Sequence, residues 1–375
     1  MIEVGETGKP NGLFWVLMIF LIAGLECSHA SYSRSMSINV RRPAPRLGRK
    51  TTKRIIAGTI AISLTSATLI LLKYSAPMFL GVDRVTFWTQ IIPSPLSVFA
   101  SVISQSFFFC AYLYFNQKHE KKNTAIPIIL IFVYIFFSII LLGEKFSVYI
   151  IYLTMWLFVS VGFGAAPKIN IKFFILGFLM LLAVISLVIF SYVKEGKDEI
   201  FILSRIALQA QLMWSVMNEG SSILLSGANW QCFFGCGTFL SGEDYISLRY
   251  LPTHLFHAYK ESGAGLTGFM PALPVLLWGL PAALLIHSLF SYFFGTIQAK
   301  IVKYIKMQNF IFALLLWKFY LAGTILWFAA KLIVIPGLVV VSILLILYKF
   351  IGRGLFTQSS SQDETDQFVF THQVK

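Results

Sequence analysis

The run AIPIILIFVYIFFSIILL, residues 125–142, has no charged side chain and stands between KKNT before it and GEK after it. At about 1.5 Å per residue a helix of that length spans roughly 27 Å, close to the roughly 30 Å of hydrocarbon in a bilayer. A helix on the surface of a soluble domain keeps a polar face for water, and this stretch offers only Tyr134 and Ser138. In lipid a helix satisfies its own backbone, which is the condition for crossing. The run predicts a transmembrane helix, with the flanking lysines and glutamate marking where the chain meets water.

The same reading extends in both directions. The 375 residues are 57% hydrophobic, 16% aromatic and 12% charged, against about 25% charged in soluble domains. Nine spans follow, at 12–30, 55–73, 95–115, 125–142, 148–165, 173–193, 264–292, 308–329 and 332–350. The expected fold is an all-α polytopic membrane protein with about nine helices, within a range of about eight to eleven. The domain reading is 1–193 for about six N-terminal spans, 194–263 for a long outer loop, 264–350 for about three more spans, and 351–375 for a polar, disordered tail.

Charge orients the chain. With the first loop inside, 19 of the 30 basic residues fall on inner segments and 11 of the 16 acidic residues on outer ones. Cytoplasmic loops carry the excess of Lys and Arg, so the N-terminus is expected outside and the C-terminus inside. The net charge of +14 is thus explained by topology, and nucleic acid is not expected as a partner. The segment MIEVGETGKPNG is acidic rather than basic, so span 1 is read as retained and not as a cleaved signal peptide, despite HAS near residue 30.

The outer loop 194–263 is far longer than an ordinary helix connection, and such loops tend to carry function. Within it, FILSRIALQAQLMWSVM (201–217) has helical periodicity, with Ile202, Ile206, Ala210, Met213, Trp214 and Met217 on one face and Arg205 and Gln209 on the opposite edge. Arg205 is either an interfacial anchor or a phosphate clamp, since guanidinium matches phosphate oxygens bidentately. Cys232 and Cys236 in WQCFFGCG have a spacing that suits a local disulfide and a structural role, while a zinc half-site would need further ligands.

In THLFHAYKESGAGLTGF (253–269), a helix from His254 to Glu261 would place His254, His257 and Glu261 near one face. The pattern is not HExxH, and no metal is expected. The histidines are either interfacial residues with ordinary hydrogen bonds or a base that takes a proton from an attacking hydroxyl. Arg205, Arg249 and Lys260 could hold an anionic leaving group near them. Arg84 in GVDRVTFW (81–88) and Lys145 in GEKFS (143–147) reach the same side by topology, as helix-end anchors or as binding groups. Lys318 in LLLWKFYLAG (314–323) is the one clear cation within a span. No nucleophile elbow, Walker motif or GxGxxG occurs.

These features together resemble the bacterial O-antigen polymerases (Wzy-type oligosaccharide repeat unit polymerases) and the related O-antigen ligases, which belong with the C-type glycosyltransferases. That family carries, near the end of a large periplasmic loop, a His, a polar residue, nine residues and then Gly-x-x-Gly opening the next helix. Here His254 is followed by Gly265-Leu-Thr-Gly268, with Leu255 in place of the usual polar residue and His257 able to take part of its role. The resemblance implies a catalytic His254 and a diphosphate and glycan held by Arg205, Arg249, Gln209, His257, Lys260, Arg84 and Lys145. It implies polymerisation of undecaprenyl-diphosphate-linked oligosaccharides at the periplasmic face of the bacterial inner membrane, without cofactor, with a chain-length regulator as a conceivable partner. A ligase, or a transporter or flippase for lipid-linked oligosaccharide, is the alternative.

Overall fold

The computed structural model describes residues 13–38, 48–82, 86–141, 147–165, 221–234, 242–254, 256–257, 271–329 and 334–355, with 182, 185–186, 189–190, 193–194, 196, 215–216 and 219. The described residues form helices and turns, without strands. In chain order the α-helices are α1 (Leu13–Ser37), α2 (Arg49–Tyr74), α3 (Pro77–Leu80), α4 (Ser94–His119), α5 (Ala125–Ile140), α6 (Ser147–Gly162), α7 (Ser221–Ser226), α8 (Gly242–Tyr250), α9 (Ala272–Trp278), α10 (Leu280–Lys306), α11 (Phe310–Ala329) and α12 (Ile335–Leu355). A π-helical turn covers Phe87–Ile91 and a 3₁₀ turn Trp230–Phe234. Among the described residues, four helical stretches are long and apolar enough to cross a membrane: Trp15–Ser37, Thr51–Leu80, Leu280–Lys306 and Phe310–Trp327. Shorter apolar helices cover Ala125–Ile140, Ile151–Gly162 and Ile335–Phe350. This is an all-α membrane protein.

The most extensive helix–helix interface joins α1 to α10, two helices far apart in sequence. In lipid the hydrophobic effect does not drive helices together, so association depends on close backbone approach and interhelical hydrogen bonds. Both are present. A Cβ on Gly295 would lie 2.2 Å from the Ser28 carbonyl oxygen, and one on Gly24 would lie 2.7 Å from His287 Nε2. Ser28 Oγ donates to Gln298 Oε1 at 3.3 Å, and the hydroxyls of Ser31 and Thr296 share a hydrogen bond of 2.6 Å. The Lys303 ammonium donates to the carbonyls of Ser35 and Ile38, capping the end of α1. Residue numbers rise together along the seam, so α1 and α10 run parallel.

The other helices add to this pair. Tyr320 of α11 accepts from Gln298 at 3.1 Å, and Phe290 stacks on Trp327 with centroids 4.3 Å apart, which makes α11 antiparallel to α10. Tyr348 of α12 donates to Asn309 Oδ1 at 3.0 Å at the α10–α11 turn. The ends of α4 and α6 reach the same turn, through Tyr112 and Phe163 against Phe310, and through Gly162 against Ile305. Farther from it, Phe107 stacks on Tyr152 at 4.0 Å, and Ser106 donates to Ser63 Oγ at 2.8 Å within a hydroxyl cluster completed by Tyr134. The helix ends converging on Asn309 carry Arg34, Lys118, Lys303, Lys306 and Lys349, so one end of the bundle is basic.

One expected boundary is corrected. The span read at 264–292 is not a single helix, because Gly279 breaks it between α9 and α10. Gly279 has φ +77°, a left-handed conformation that a side chain would strain, and Pro281 brings no N–H to the first turn of α10. The long helix then continues to Lys306, past the expected end at 292. Two polar residues past that point, Gln298 and Lys303, bond to the neighbouring helices: Gln298 to Ser28 of α1 and Tyr320 of α11, and Lys303 to the end of α1.

Gly295→Val is expected to lower the thermal midpoint of the purified protein in detergent, at a cost of about 1–3 kcal/mol for forcing a side chain into a packed interface. Gly58→Val in α2, where nothing lies within 4 Å of an added Cβ, is the control and is expected to leave the midpoint nearly unchanged.

Candidate functional site

The end of the bundle opposite the basic turn is built from short elements. Gly227 and Gly279 each lie against the backbone beside the other: a Cβ on Gly227 would meet the Leu277 carbonyl oxygen at 2.4 Å, and one on Gly279 the Leu225 oxygen at 2.3 Å. Both have φ near +75°, at +75° and +77°. The Ala228 N–H donates to Leu276 O at 2.7 Å, and Trp278 Nε1 donates to Trp230 O at 3.2 Å. The clasp holds segment 221–234 on the helix break, and α9 beneath it is buried along almost its whole length. A recess of about 520 Å³ opens there, lined by Ser226–Trp230, Leu277, Trp278, Ala282 and Ile286. It is mainly apolar, with Trp230 standing 65% exposed at its edge.

Beside the recess Trp278 stacks on Trp327 at 5.8 Å and Phe233 lies 5.2 Å from Trp278. Trp327 Nε1 donates to His287 Nδ1 at 3.3 Å. An indole N–H can only donate, so the proton of a neutral His287 sits on Nε2 and is donated to Phe20 O at 3.1 Å. His287 thereby ties α1, α10 and α11 together. Cys232 is disulfide-bonded, whereas Cys27 and Cys110 are free; Cys236 lies outside the described residues.

The polar chemistry gathers on α8. Arg249 Nε donates to Glu219 Oε1 at 2.9 Å, and Tyr250 Oη donates to the same oxygen at 2.8 Å. The guanidinium carbon also stands 6.0 Å from the Tyr250 ring centroid. Burial pushes the Glu219 carboxyl up, but the hydrogen bonds from Arg249 and Tyr250 and the adjacent positive charge outweigh it, so its pKa lies below the ordinary value of 4.5. The bond to Glu219 raises the Arg249 pKa, and burial with the same carboxylate raises that of the Tyr250 hydroxyl. Glu219 is thus a fixed anion that positions a cation, and a poor proton acceptor.

Immediately after α8 the chain turns through Leu251 and Pro252 into a short helical segment. Leu251 and Phe256 point inward and are buried, while His254 and His257 are both exposed. His257 meets the Phe256 ring edge-on at 5.4 Å. Two imidazoles open to the surface thus follow the braced Arg249 by five and eight positions. Arg205, Gln209, Lys260, Arg84, Lys145, Gly265 and Gly268 lie outside the described residues. Lys318 in α11 is partly buried and forms no ion pair among the described residues.

Glu219 and Tyr250 were not anticipated. Neither lies in a motif, and Glu219 and Arg249 stand thirty positions apart in the sequence. His287 also escaped notice, although a lone imidazole inside an apolar run is a signal that sequence alone can offer.

The Glu219 brace predicts a pH dependence. A carboxyl whose folded pKa is depressed contributes stability above its unfolded pKa and loses it as pH falls through the lower folded value. The thermal midpoint of wild type should exceed that of Glu219→Gln at neutral pH, and the two should converge as pH falls below about 4. Tyr250→Phe is expected to cost about 1 kcal/mol through its lost hydrogen bond, read from the same melts. Comparison of the chain with family models, with curated proteins and with solved structures returns no match.

Proposed function

We propose that the protein is a glycosyltransferase that polymerises undecaprenyl-diphosphate-linked oligosaccharide repeat units into O-antigen or a related surface polysaccharide. The reading places about nine spans in the bacterial inner membrane, with the N-terminus and the 194–263 loop periplasmic and the C-terminus cytoplasmic. The basic end of the bundle around Asn309 supports that orientation, since cytoplasmic ends carry the excess of Lys and Arg. The observation that carries the reading is the exposed His254 following the braced Arg249, at the opposite end.

His254 takes the proton from a sugar hydroxyl of the acceptor unit as that oxygen bonds to the anomeric carbon of the donor. The bond from that carbon to the diphosphate breaks, and its electrons leave with undecaprenyl diphosphate. Arg249 and Arg205 stabilise the charge that develops on the departing oxygen, a task that fixed cations perform without reorganisation. Gln209, His257, Lys260, Arg84 and Lys145 serve substrate binding in this scheme. The reacting bond sits at headgroup height because both substrates are anchored in lipid.

Deleting the gene and complementing it in the source organism tests this, with surface polysaccharide read on a silver-stained gel. The expected result is a single-repeat band in place of the ladder, and the same band with His254→Ala or Arg205→Ala, at a loss of at least about a hundredfold in polymer for removing a general base. Bare lipid A–core with polymer retained on undecaprenyl would identify a ligase instead. Loss of all repeats with lipid-linked units trapped inside would identify a flippase. An unchanged ladder with both variants would end the polymerase reading.

A further inference from the structure

The geometry points to Glu219 as a positioning residue: its carboxylate fixes the Arg249 guanidinium so that the terminal nitrogens, and not Nε, face the diphosphate of the lipid-linked donor. The inference rests on the polymerase reading and adds to it a residue that no motif marks. Arginine has five N–H donors in one rigid plane, so a bond at Nε sets the direction of the other four. Here Nε donates to Glu219 Oε1 at 2.9 Å, and the Tyr250 ring lies 6.0 Å from the guanidinium carbon. Tyr250 Oη holds the same carboxylate oxygen at 2.8 Å, so the carboxylate is itself steadied by a second donor.

The arrangement has a physical purpose beyond tying the loop. A guanidinium that stabilises a leaving diphosphate must already be oriented when charge develops, because reorientation during the reaction adds to the barrier. An arginine on a short helix at the rim of an outer loop has several rotatable bonds and would otherwise sample many directions. The Glu219 side chain is 20% exposed and that of Arg249 31%, so the pair is partly shielded from water while the cation keeps some exposure. A brace of this kind lowers the net charge available to the diphosphate. The arrangement favours direction over charge.

The test uses the full chain in its deletion strain, with Glu219→Gln, Arg249→Ala and the exchanged pair Glu219→Arg/Arg249→Glu. Each is measured for polymer formed per unit of protein and, after purification in detergent, for thermal midpoint. Glu219→Gln is expected to reduce polymer about tenfold, the size of effect that loss of one orienting contact produces, and Arg249→Ala at least as much. The exchanged pair is expected to regain the midpoint lost in the single variants but not the polymer, because the cation then stands on the wrong element. Recovery of both would mean that the bridge only braces the fold, and would overturn the inference. Normal polymer from Arg249→Ala, with none from His254→Ala, would overturn it too and leave the polymerase reading standing. If His254→Ala polymerises normally as well, the reading itself has failed and the inference goes with it.

Discussion

The close parallel contact between α1 and α10 is the constraint on which the rest of the bundle depends. It joins the first helix to one more than 250 positions later, and it does so with small residues and backbone approach instead of apolar bulk. Gly24, Ser28 and Ser31 lie against His287, Ser291, Gly295 and Thr296, and Ser28, Ser31 and His287 each form a hydrogen bond to the other helix. Interhelical hydrogen bonds in membranes are modest, on the order of 1 kcal/mol each, so the seam works by being continuous. Lys303 ends it by capping the carbonyls of Ser35 and Ile38, which both stops α1 and seats a cation at the basic end.

From that pair the placement of the candidate site follows. α10 begins at Gly279, and the break there is held by the reciprocal approach of Gly227. Segment 221–234 is therefore fastened to the start of α10, the helix along which α1 packs. The 3₁₀ turn, α8 and α9 pack on one another around that clasp. The aromatic group of Trp278, Trp327 and Phe233 lies alongside it, with Trp230 bonded to Trp278 and exposed at the rim. Tryptophans gather at membrane–water boundaries because one edge is apolar and the other donates a hydrogen bond. Arg249 and His254 stand on the part of the chain that rides on this base, which gives a loop some of the rigidity of a helix.

The polar chemistry shows how a carboxylate can serve a cationic site without being a base. Two donors meeting on one oxygen of Glu219 keep it ionised, and in return it holds both donors in place. The exposed imidazoles that follow are not constrained in this way. Leu251 and Phe256 are buried beneath their segment, while both rings stand exposed.

The all-helical, membrane-embedded character was legible in runs such as 125–142, because hydrocarbon permits few solutions and composition alone reports them. The crowding of basic residues at helix ends was legible too, since charge bias is carried residue by residue. What could not be read was pairing. Nothing local marks α1 as the partner of α10, and a polar residue such as Gln298 looks like an exit from the membrane until its partners Ser28 and Tyr320 are seen. The break at Gly279 was hidden for a related reason: a glycine and a proline in an apolar run are compatible with a continuous span, and only the approach of Gly227 decides otherwise. Of the candidate site, His254, His257 and Arg249 could be singled out as residue types, and Cys232 as a bonded cysteine. Glu219 and Tyr250 could not, because a hydrogen bond depends on distance in space and a separation of thirty positions carries no record of it. The sequence by itself determined the helical, apolar, membrane-embedded character of the chain; the tertiary structure alone decided which polar groups face one another, since only folding brings them within bonding distance.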